Sequence, residues 1–386
     1  MDPLRLLHPE ALEVIDLACA DDREDLRLSE DLRRRFDPDL VAIALTQRAL
    51  RRRAAGKLTD PQSWLLTREG LEQATATAVA AHRAEAFTGL SAVVDVCCGI
   101  GGDSRELATK ATTVVGVDRY PVHLELARHN SGLIPVQAEA GGLPLGRGVD
   151  AILVDPARRE DGRRRRGHAE SSPPLGVCFG WANEFRRVVV KAAPGLDLDV
   201  VPEGWSIEAV AVGRDLKELA LWAPAWDRPV RQATVLRVDA AGRTLSTDVL
   251  TGDGTQRNKV GVTDIGRYLF DPSPAVTRSG LVQDLGELLG ASMVDERIAF
   301  LTSDRSAESP LARTLEVRES MPWSLKPVKA RLRALDIGQV EIRQRGLTGG
   351  DTESLRRRLA TDGDGSGVLV LTRIGDRPWA LICAEL

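Results

Sequence analysis

The 386-residue sequence is poor in aromatic residues, cysteine, histidine and lysine, and it contains no long apolar run. Phe, Trp and Tyr together make up 4% of the chain. The longest apolar stretches are only several residues long, whereas a membrane helix needs about 20. The five cysteines form no CxxC pair, and the five histidines show no metal-ligand spacing. These absences predict a protein without a membrane span, a disulfide framework or a bound metal.

The charge balance also limits the function. A net charge of −4 excludes a uniformly basic nucleic-acid binder, so nucleic-acid binding would have to rest on local patches. Arginine outnumbers lysine 45 to 7, a genomic bias that makes single arginine runs weak evidence. The amino terminus is acidic and lacks the basic region and cleavage site of a secretory signal. Together with the unpaired cysteines, this predicts a cytoplasmic protein.

The pattern of apolar residues in the first half of the chain changes once, from helical spacing to short strands that alternate with helices. Residues 1–88 place apolar side chains at helical spacing, with Gly56 and Gly89 as stop signals. From residue 92, short apolar strands alternate with helical segments, as in βα units with a parallel sheet. The predicted strands are "AVVDVCC", "TTVVGVD", "IPVQAE", "DAILVDP" and "RVVVKAA". "SIEAVAVG" and "KELALWAP" follow without a long helix between them and predict an antiparallel hairpin that closes one edge.

The alternation of strands and helices ends near Trp226, and a different pattern follows. "RQATVLRVDAAGRTLSTDVL" predicts a hairpin that turns near Gly242. The polar, glycine-rich "TGDGTQRNKVG" after it indicates a domain boundary. Residues 260–386 alternate helices and strands, which predicts a small α+β domain.

The stretch "AVVDVCCGIGGDSREL" joins the first strand to a helix through a glycine-rich elbow. Gly99 and Gly101 match the GxGxxG/A fingerprint of dinucleotide sites, but Ser104 stands where its third small residue belongs. Asp103 would face a pyrophosphate unfavourably, and Asp95 has no role in that fingerprint. A cationic ligand that carries an ammonium and no phosphate would suit both carboxylates. S-adenosylmethionine, with its sulfonium and amino groups, is such a ligand.

Three further carboxylates follow successive predicted strands. Asp118 lies 19 residues after Gly99, where a carboxylate can accept hydrogen bonds from both ribose hydroxyls. Glu139 closes the third strand and is placed to contact the adenine amino group. Asp155 ends the fourth strand, at the edge where open α/β sheets bind ligands. A carboxylate at four successive strand ends is a far more specific signal than the glycines alone.

The segments "DVCCGIGGD", "GVD" and "LVDPAR" resemble motifs I, II and IV of the class I S-adenosylmethionine-dependent methyltransferases, and the motif order covers residues 92–224. The wider chain resembles a bacterial family of these enzymes with a helical N-terminal extension and a THUMP-like C-terminal domain. "LEQATA", "VKAAPGLDL", "YLFDPSPAVTRSGL" and the basic end segment carry that resemblance. It implies an α/β fold with a Rossmann-like seven-stranded methyltransferase sheet. The implied domains are an N-terminal helical domain (1–88), a methyltransferase domain (89–250) and a THUMP-like α+β domain (260–386).

The resemblance also implies S-adenosylmethionine as the cofactor and a set of residues that bind it. That set is Asp95, Cys97, Gly99, Gly101, Gly102, Asp103, Asp118, Arg119, Glu139 and Ala140. Glu72 and Gln73 interrupt an Ala-rich helix, where they either face solvent or pack over the cofactor.

The acceptor site is predicted around Asp155, Pro156 and Arg158. The family motif for amino-directed base methylation is Asp/Asn-Pro-Pro-aromatic, and this chain keeps only its first half. Arg158 stands in place of the aromatic residue and could stack on a base or hold a phosphate. Covalent 5-methyluridine chemistry needs a cysteine just after the fifth strand, which here reads "VVVKAAP". Direct transfer is therefore favoured, and Lys191 either lines the acceptor site or caps its strand.

Two basic segments point to RNA as the partner. "ARREDGRRRRG" follows Asp155 and contains Arg163–Arg166, while residues 323–358 carry nine Lys or Arg against four acids. Either segment can also be a solvated surface. THUMP domains proper bind RNA in tRNA-modifying enzymes, so the resemblance implies an RNA substrate such as tRNA or rRNA. The predicted function is methylation of an RNA base. Methylation of a protein side chain or small molecule, and non-catalytic RNA binding, remain the alternatives.

Overall fold

The computed structural model of the protein describes residues 3–143, 146, 148–158, 171–255, 260–347 and 352–386, without the side chains of Pro3 and Arg158. The chain forms two compact units. The first contains Met1–Gly213, Lys217–Arg228 and Leu236–Thr247, and the second contains Arg214–Leu216, Pro229–Val235 and Asp248–Leu386. The predicted division into three domains stays a prediction.

Helices fill the start of the first unit, as the apolar spacing predicts. They are α1 (Pro9–Ala20), α2 (Asp25–Leu32), α3 (Pro38–Ala54), α4 (Arg68–Gln73) and α5 (Thr77–Ala84). The Asp37 carboxylate caps α3 by accepting a hydrogen bond from the Asp39 amide at 2.9 Å. Pro38 occupies the first turn of α3, where its missing N–H costs nothing. Buried residues from α1, α2 and α3 form one apolar core.

A nine-stranded sheet follows, and among the described residues three α-helices lie between its strands. The elements from β1 to β7 are, in chain order, β1 (Ala92–Val96), α6 (Gly102–Leu107), β2 (Thr113–Asp118), α7 (Pro121–Ser131), β3 (Ile134–Gln137), β4 (Ala151–Val154), the short strands β5 (Ala157–Arg158) and β6 (Ser171–Ser172), α8 (Leu175–Gly180) and β7 (Val188–Ala192). The remaining strands are β8 (Ser206–Val212), β9 (Asp215–Trp222), β10 (Arg231–Val238) and β11 (Thr244–Gly252). β5 and β6 form a separate two-stranded ribbon.

The strand order of the large sheet is β11-β10-β8-β9-β7-β4-β1-β2-β3. β1, β2, β3, β4 and β7 pair in parallel, and β9 runs antiparallel to β7. All four residues of β4 are buried, which explains why its sequence is a continuous apolar run. The predicted β8–β9 hairpin is present, but it does not close the sheet. The β10–β11 hairpin lies beyond β8 and adds two strands there.

The second unit contains residues 260–386, which were predicted to form a small α+β domain. Its elements are β12 (Tyr268–Pro272), α9 (Pro274–Ser279), α10 (Val282–Leu289), β13 (Ser292–Asp295), β14 (Ile298–Ser303), β15 (Ala312–Pro322), α11 (Leu325–Ala334), β16 (Ile337–Gln344), α12 (Thr352–Leu359), β17 (Gly365–Ile374) and β18 (Arg377–Glu385). The seven strands form one sheet in the order β13-β14-β12-β15-β18-β17-β16. Ser273 caps α9, and Gly280 ends it in the left-handed conformation. Within the described ranges, no helix has both the length and the apolar character that crossing a membrane requires.

Candidate active site

The elbow between β1 and α6 opens onto a cavity. Gly99 has a φ of +54°, and a Cβ built there would meet nothing within 4 Å. Gly101 has a φ of +87°, and its Cβ would lie 3.1 Å from the Cα of Ala127 in α7. Glycine at 101 therefore permits both the turn and the close approach of α7, whereas Gly99 leaves room for a ligand against the backbone. Cys97 also lies in the left-handed region, with a φ of +61°.

The cavity has a volume of about 1610 Å³ and lies where the parallel strands end. Most of the predicted site residues line it: Cys97, Gly99, Gly102, Asp103, Asp118, Arg119, Glu139, Ala140, Asp155 and Pro156. Glu72 and Gln73 of α4 are also in its wall, as is Lys191. Asp95 and Gly101 are not wall residues. The side chain of Arg158 and all of Arg163–Arg166 lie outside the described residues.

Asp118 is held at the end of β2 by two backbone amides. Its Oδ2 accepts a hydrogen bond from the Gly99 amide at 3.1 Å, and its Oδ1 accepts one from the Tyr120 amide at 2.9 Å. The His123 ring nitrogen Nδ1 lies 3.6 Å from the same Oδ1. Burial opposes ionisation, but His123 and these amides outweigh it and lower the pKa of Asp118. The result is a fixed, ionised carboxylate in the cavity wall.

Asp95 is buried outside the cavity wall and holds the elbow through a hydrogen bond. Its side chain is buried, and its Oδ2 accepts a hydrogen bond from the Ser104 hydroxyl of α6. Burial raises the pKa of Asp95, and the charge of Asp103 raises it further. This position explains why serine follows Asp103 in place of the small residue of the dinucleotide fingerprint. Ser104 ties the first turn of α6 to β1.

Asp103 is the centre of a buried ion network. Its Oδ2 accepts hydrogen bonds from Lys191 Nζ and from the Thr75 hydroxyl, both at 2.8 Å, while Arg83 donates to Oδ1. Arg83 donates a second charged hydrogen bond to Glu218. Burial opposes ionisation of Asp103, but Arg83 and Lys191 outweigh it and hold its pKa well below the usual range. Both oxygens of Asp103 thus have internal partners.

Lys191 links this network to the predicted acceptor residue. Its Nζ donates to Asp155 as well as to Asp103, and to the Thr75 hydroxyl at 2.6 Å. Burial alone would lower the pKa of Lys191, but Asp103 and Asp155 outweigh it and raise that pKa. The side chain of Asp155 is 40% exposed. Asp155 therefore offers a carboxylate to the cavity while a buried ammonium fixes its position.

Sequence reasoning missed the residues that complete this network: Thr75, Arg83 and Glu218. They come from α5, its preceding turn and β9, so no local motif connects them with the elbow. One signal was available. Lysine is scarce in this arginine-rich chain, yet three of the seven lysines, at positions 57, 191 and 217, line the cavity.

The thiols near the site are poor nucleophiles. Burial raises the pKa of Cys97 to about 12, and the charges of Asp118 and Asp155 contribute. Burial has the same effect on Cys178, whose pKa is also about 12. Cys98, buried beside them, has a raised pKa as well. Since thiolates are the reactive form, all three are inert at neutral pH.

The parallel strands, the antiparallel β9 next to β7 and the glycine elbow define a class: this is the Rossmann-like fold of S-adenosylmethionine-dependent methyltransferases. A structure from Porphyromonas gingivalis W83, provisionally named a methyltransferase, superposes with a TM-score of 0.71. It is 20% identical, and the match covers 97% of this chain and 98% of that one. That similarity shows the fold.

The sequence comparison shows the family. A protein found in two strains of Mycobacterium tuberculosis, described as an uncharacterized S-adenosylmethionine-dependent methyltransferase, is 37% identical over 341 residues. The match covers 84% of this chain and 91% of the relative. The chain therefore belongs to the S-adenosylmethionine-dependent methyltransferases. Residues 312–385 match the model of a THUMP domain-like family, and residues 6–54 match that of a domain of unknown function.

Proposed function

We propose that this enzyme methylates a base of RNA by direct transfer from S-adenosylmethionine. The observation that carries the RNA assignment is the THUMP domain-like match over residues 312–385. THUMP domains proper bind RNA in tRNA-modifying enzymes, so a tRNA or rRNA is the expected substrate. Within the basic segment 323–358, Arg343 and Arg345 would serve as contacts, whereas Arg331 is already paired with Glu319. Arg163–Arg166, which lie outside the described residues, are the second proposed contact. The five free cysteines fit a reducing, cytoplasmic location.

The cavity fits the cofactor in two respects. The open space at Gly99 lets a ligand approach the backbone, and Asp118 presents an ionised carboxylate beside it. Asp118 would accept hydrogen bonds from the ribose hydroxyls, and Glu139, exposed at the end of β3, would reach the adenine amino group. Arg119, Ala140, Cys97, Gly102 and Asp103 complete the proposed wall, while Asp95 and Gly101 shape the elbow. When bound, S-adenosylmethionine supplies a methyl group on a positively charged sulfur.

Asp155 would position the acceptor. Lys191 occupies its Oδ2, and among the described residues no hydrogen bond reaches its Oδ1. An exocyclic amine of a base could therefore donate to Oδ1, which would direct the nitrogen lone pair into the cavity. Pro156 restricts the backbone after Asp155, and Arg158 pairs with Ser171 in the β5–β6 ribbon. The inert thiols support direct transfer over a covalent route.

One observation favours a second acceptor class. The described wall of the cavity carries more carboxylates than Lys or Arg residues: Glu69, Glu72, Asp103, Asp118, Glu139, Asp155 and Glu218 against Lys57, Arg119, Lys191 and Lys217. Such a wall suits a neutral base that enters without its phosphates. It also suits a cationic amine, such as the side chain of a protein lysine.

Comparative mass spectrometry of RNA nucleosides tests the proposal. RNA from cells with the gene, without it, and with an Asp155→Asn copy should differ by one methylated nucleoside present only in the first. Purified enzyme and radiolabelled S-adenosylmethionine should then label unmodified RNA from the deletion strain. Labelling of protein with no change in any RNA nucleoside would replace the RNA assignment with the cationic acceptor.

A further inference from the structure

A buried carboxylate in the second unit holds three arginines. Asp271, in the segment "YLFDPSPAVTRSGL", is 1% exposed. Its Oδ2 accepts hydrogen bonds from Arg214 at 2.7 Å and from Arg343 at 2.6 and 3.0 Å. Its Oδ1 accepts one from Arg345 at 2.8 Å. These four residues are called the Asp271 cluster.

The cluster carries an excess of positive charge. Burial opposes ionisation of Asp271, but Arg345 and Arg343 outweigh it and lower its pKa. One negative charge therefore faces three guanidinium groups. Glu341 lies in the same field, but Arg313 donates two hydrogen bonds to its carboxylate, at 2.7 and 2.9 Å, and is the main cause of its lowered pKa.

The three guanidinium groups are pre-positioned and reachable. The side chains of Arg214, Arg343 and Arg345 are 47%, 32% and 21% exposed. Arg345 is also fixed by hydrogen bonds to the Thr277 hydroxyl and the Pro272 carbonyl, both at 3.1 Å. A guanidinium has five N–H donors, and among the described residues Arg214 uses one of them, to Asp271. Donors therefore remain for an anion from solvent.

Two other arginines of this unit are paired differently. Arg331 donates hydrogen bonds from both Nε and Nη2 to the carboxylate of Glu319, and Arg297 contacts both Asp295 and Asp376. Each of these two arginines therefore has a carboxylate as its own partner: Glu319 for Arg331 and Asp295 for Arg297. Arg331 belongs to the basic segment 323–358, but its charge is already neutralised. Among the described residues of that segment, Arg343 and Arg345 share the carboxylate of Asp271.

We infer that the Asp271 cluster binds a phosphodiester group of RNA. Planar guanidinium groups match the two free oxygens of a phosphate in charge and geometry, and a buried carboxylate that holds three of them reduces the entropy lost on binding. This inference rests on the proposed RNA substrate and names the point at which that substrate docks. The ligand chemistry, a phosphate oxygen pair, is shared with free inorganic phosphate.

RNA binding by the full-length protein tests the inference. The variant is Arg214→Gln/Arg343→Gln, which leaves Arg345 to hold Asp271. The matched control is Arg331→Gln, since Arg331 is 51% exposed and pairs with one carboxylate. Binding of fluorescent bulk transfer RNA is measured from 0.05 to 0.3 M salt. Each lost phosphate contact should reduce the slope of log K against log salt by about 0.7 to 0.9, and affinity at about 0.1 M salt should fall roughly tenfold.

Two further measurements keep the result interpretable. Thermal unfolding and S-adenosylmethionine affinity verify that the variant folds, and Arg343→Lys provides a milder change that keeps the charge but loses the two-point contact. A second titration uses inorganic phosphate and follows its effect on the unfolding temperature.

The outcomes separate this inference from the proposed function. A reduced slope in the double variant, with wild-type behaviour in Arg331→Gln, supports the cluster as the docking point. Wild-type RNA binding with an unchanged slope in the double variant overturns the cluster and leaves the RNA substrate standing. An unchanged slope combined with phosphate stabilisation that the double variant loses assigns the cluster to free phosphate. Absence of any RNA binding by the wild-type protein overturns both.

Discussion

The ammonium nitrogen of Lys191 lies 2.8 Å from Oδ2 of Asp103, and both side chains are more than nine-tenths buried. Because Lys191 also contacts Asp155, the residue proposed to position the acceptor is fixed by the interior of the protein. Burying two charges is costly, and their mutual attraction offsets that cost only while both partners remain.

Replacing Lys191 by methionine should therefore destabilise the protein. Lys191→Met leaves Asp103 with Arg83 as its cation, and we expect a loss of about 3–5 kcal/mol in the free energy of unfolding. Denaturant unfolding measures it. Lys110→Met is the control, because Lys110 pairs with the exposed Glu85 and its loss should cost at most about 1 kcal/mol. Equal stability of the two variants would contradict the network.

Asp118→Ala should weaken the binding of S-adenosylmethionine. The change removes one or two charge-assisted hydrogen bonds to the ribose, roughly 1.5–3 kcal/mol each. It also releases the Gly99 amide, so the elbow loses part of its support. Calorimetry measures the affinity. Asp150→Ala is the matched control. Asp150 also accepts hydrogen bonds from two backbone amides, those of Ser91 and Ala92, but it lies outside the cavity wall. Unchanged affinity in Asp118→Ala would reject the ribose assignment.

Asp155→Asn should abolish turnover and leave cofactor affinity nearly intact. The amide keeps the shape of the side chain but loses the charge that Lys191 and the acceptor amine share. Radiolabel transfer to RNA and calorimetry are the two measurements.

Replacing Cys97, Cys98 and Cys178 by alanine tests the alternative of covalent catalysis. Because their raised pKa values keep these thiols protonated, folded variants should stay active. A denaturation-resistant adduct between protein and RNA that one of these changes removes would establish covalent catalysis instead.

Asp95→Asn should stabilise the protein increasingly as the pH rises. The folded-state pKa of Asp95 is raised above its ordinary value of 3.8, mainly by burial. The folded state then binds the proton more tightly than the unfolded state, so this group costs stability as the pH rises through the unfolded and towards the folded pKa. Asparagine removes that cost and can still accept the Ser104 hydrogen bond. The unfolding free energy of both proteins is compared across pH; a constant difference would contradict the raised pKa.

The strands of the large sheet were mostly predictable from the sequence because they are buried and therefore apolar. Apolar runs such as Ala151–Val154 have few alternatives when helices cover both faces of a parallel sheet. The β10–β11 hairpin was also predicted from its turn near Gly242, but its place in the sheet was not. The partner of β10 is β8, and nothing local in either strand specifies that pairing.

The position of a single side chain at a strand end was predictable, as at Asp118, which lies in the cavity wall. A role that depends on contacts distant in sequence was not predictable. Asp103 was expected to face a cationic ligand, and its proximity to Lys191, 88 residues away, depends on the folded sheet. The same holds for Asp271 and Arg343, which are 72 residues apart.

Arg83, on α5, has a consequence for how this gene can evolve. Its guanidinium is the shared counter-ion of Asp103 and Glu218, two carboxylates that belong to the sheet and its elbow. A truncated descendant without the helical segment would inherit both acids without the cation they share, which leaves Asp103 with Lys191 and Glu218 without its salt bridge to Arg83. Such a chain would be destabilised by the buried charge of Glu218 until a substitution there removed it. The helices before β1 and the catalytic sheet should therefore be gained or lost together in recombination.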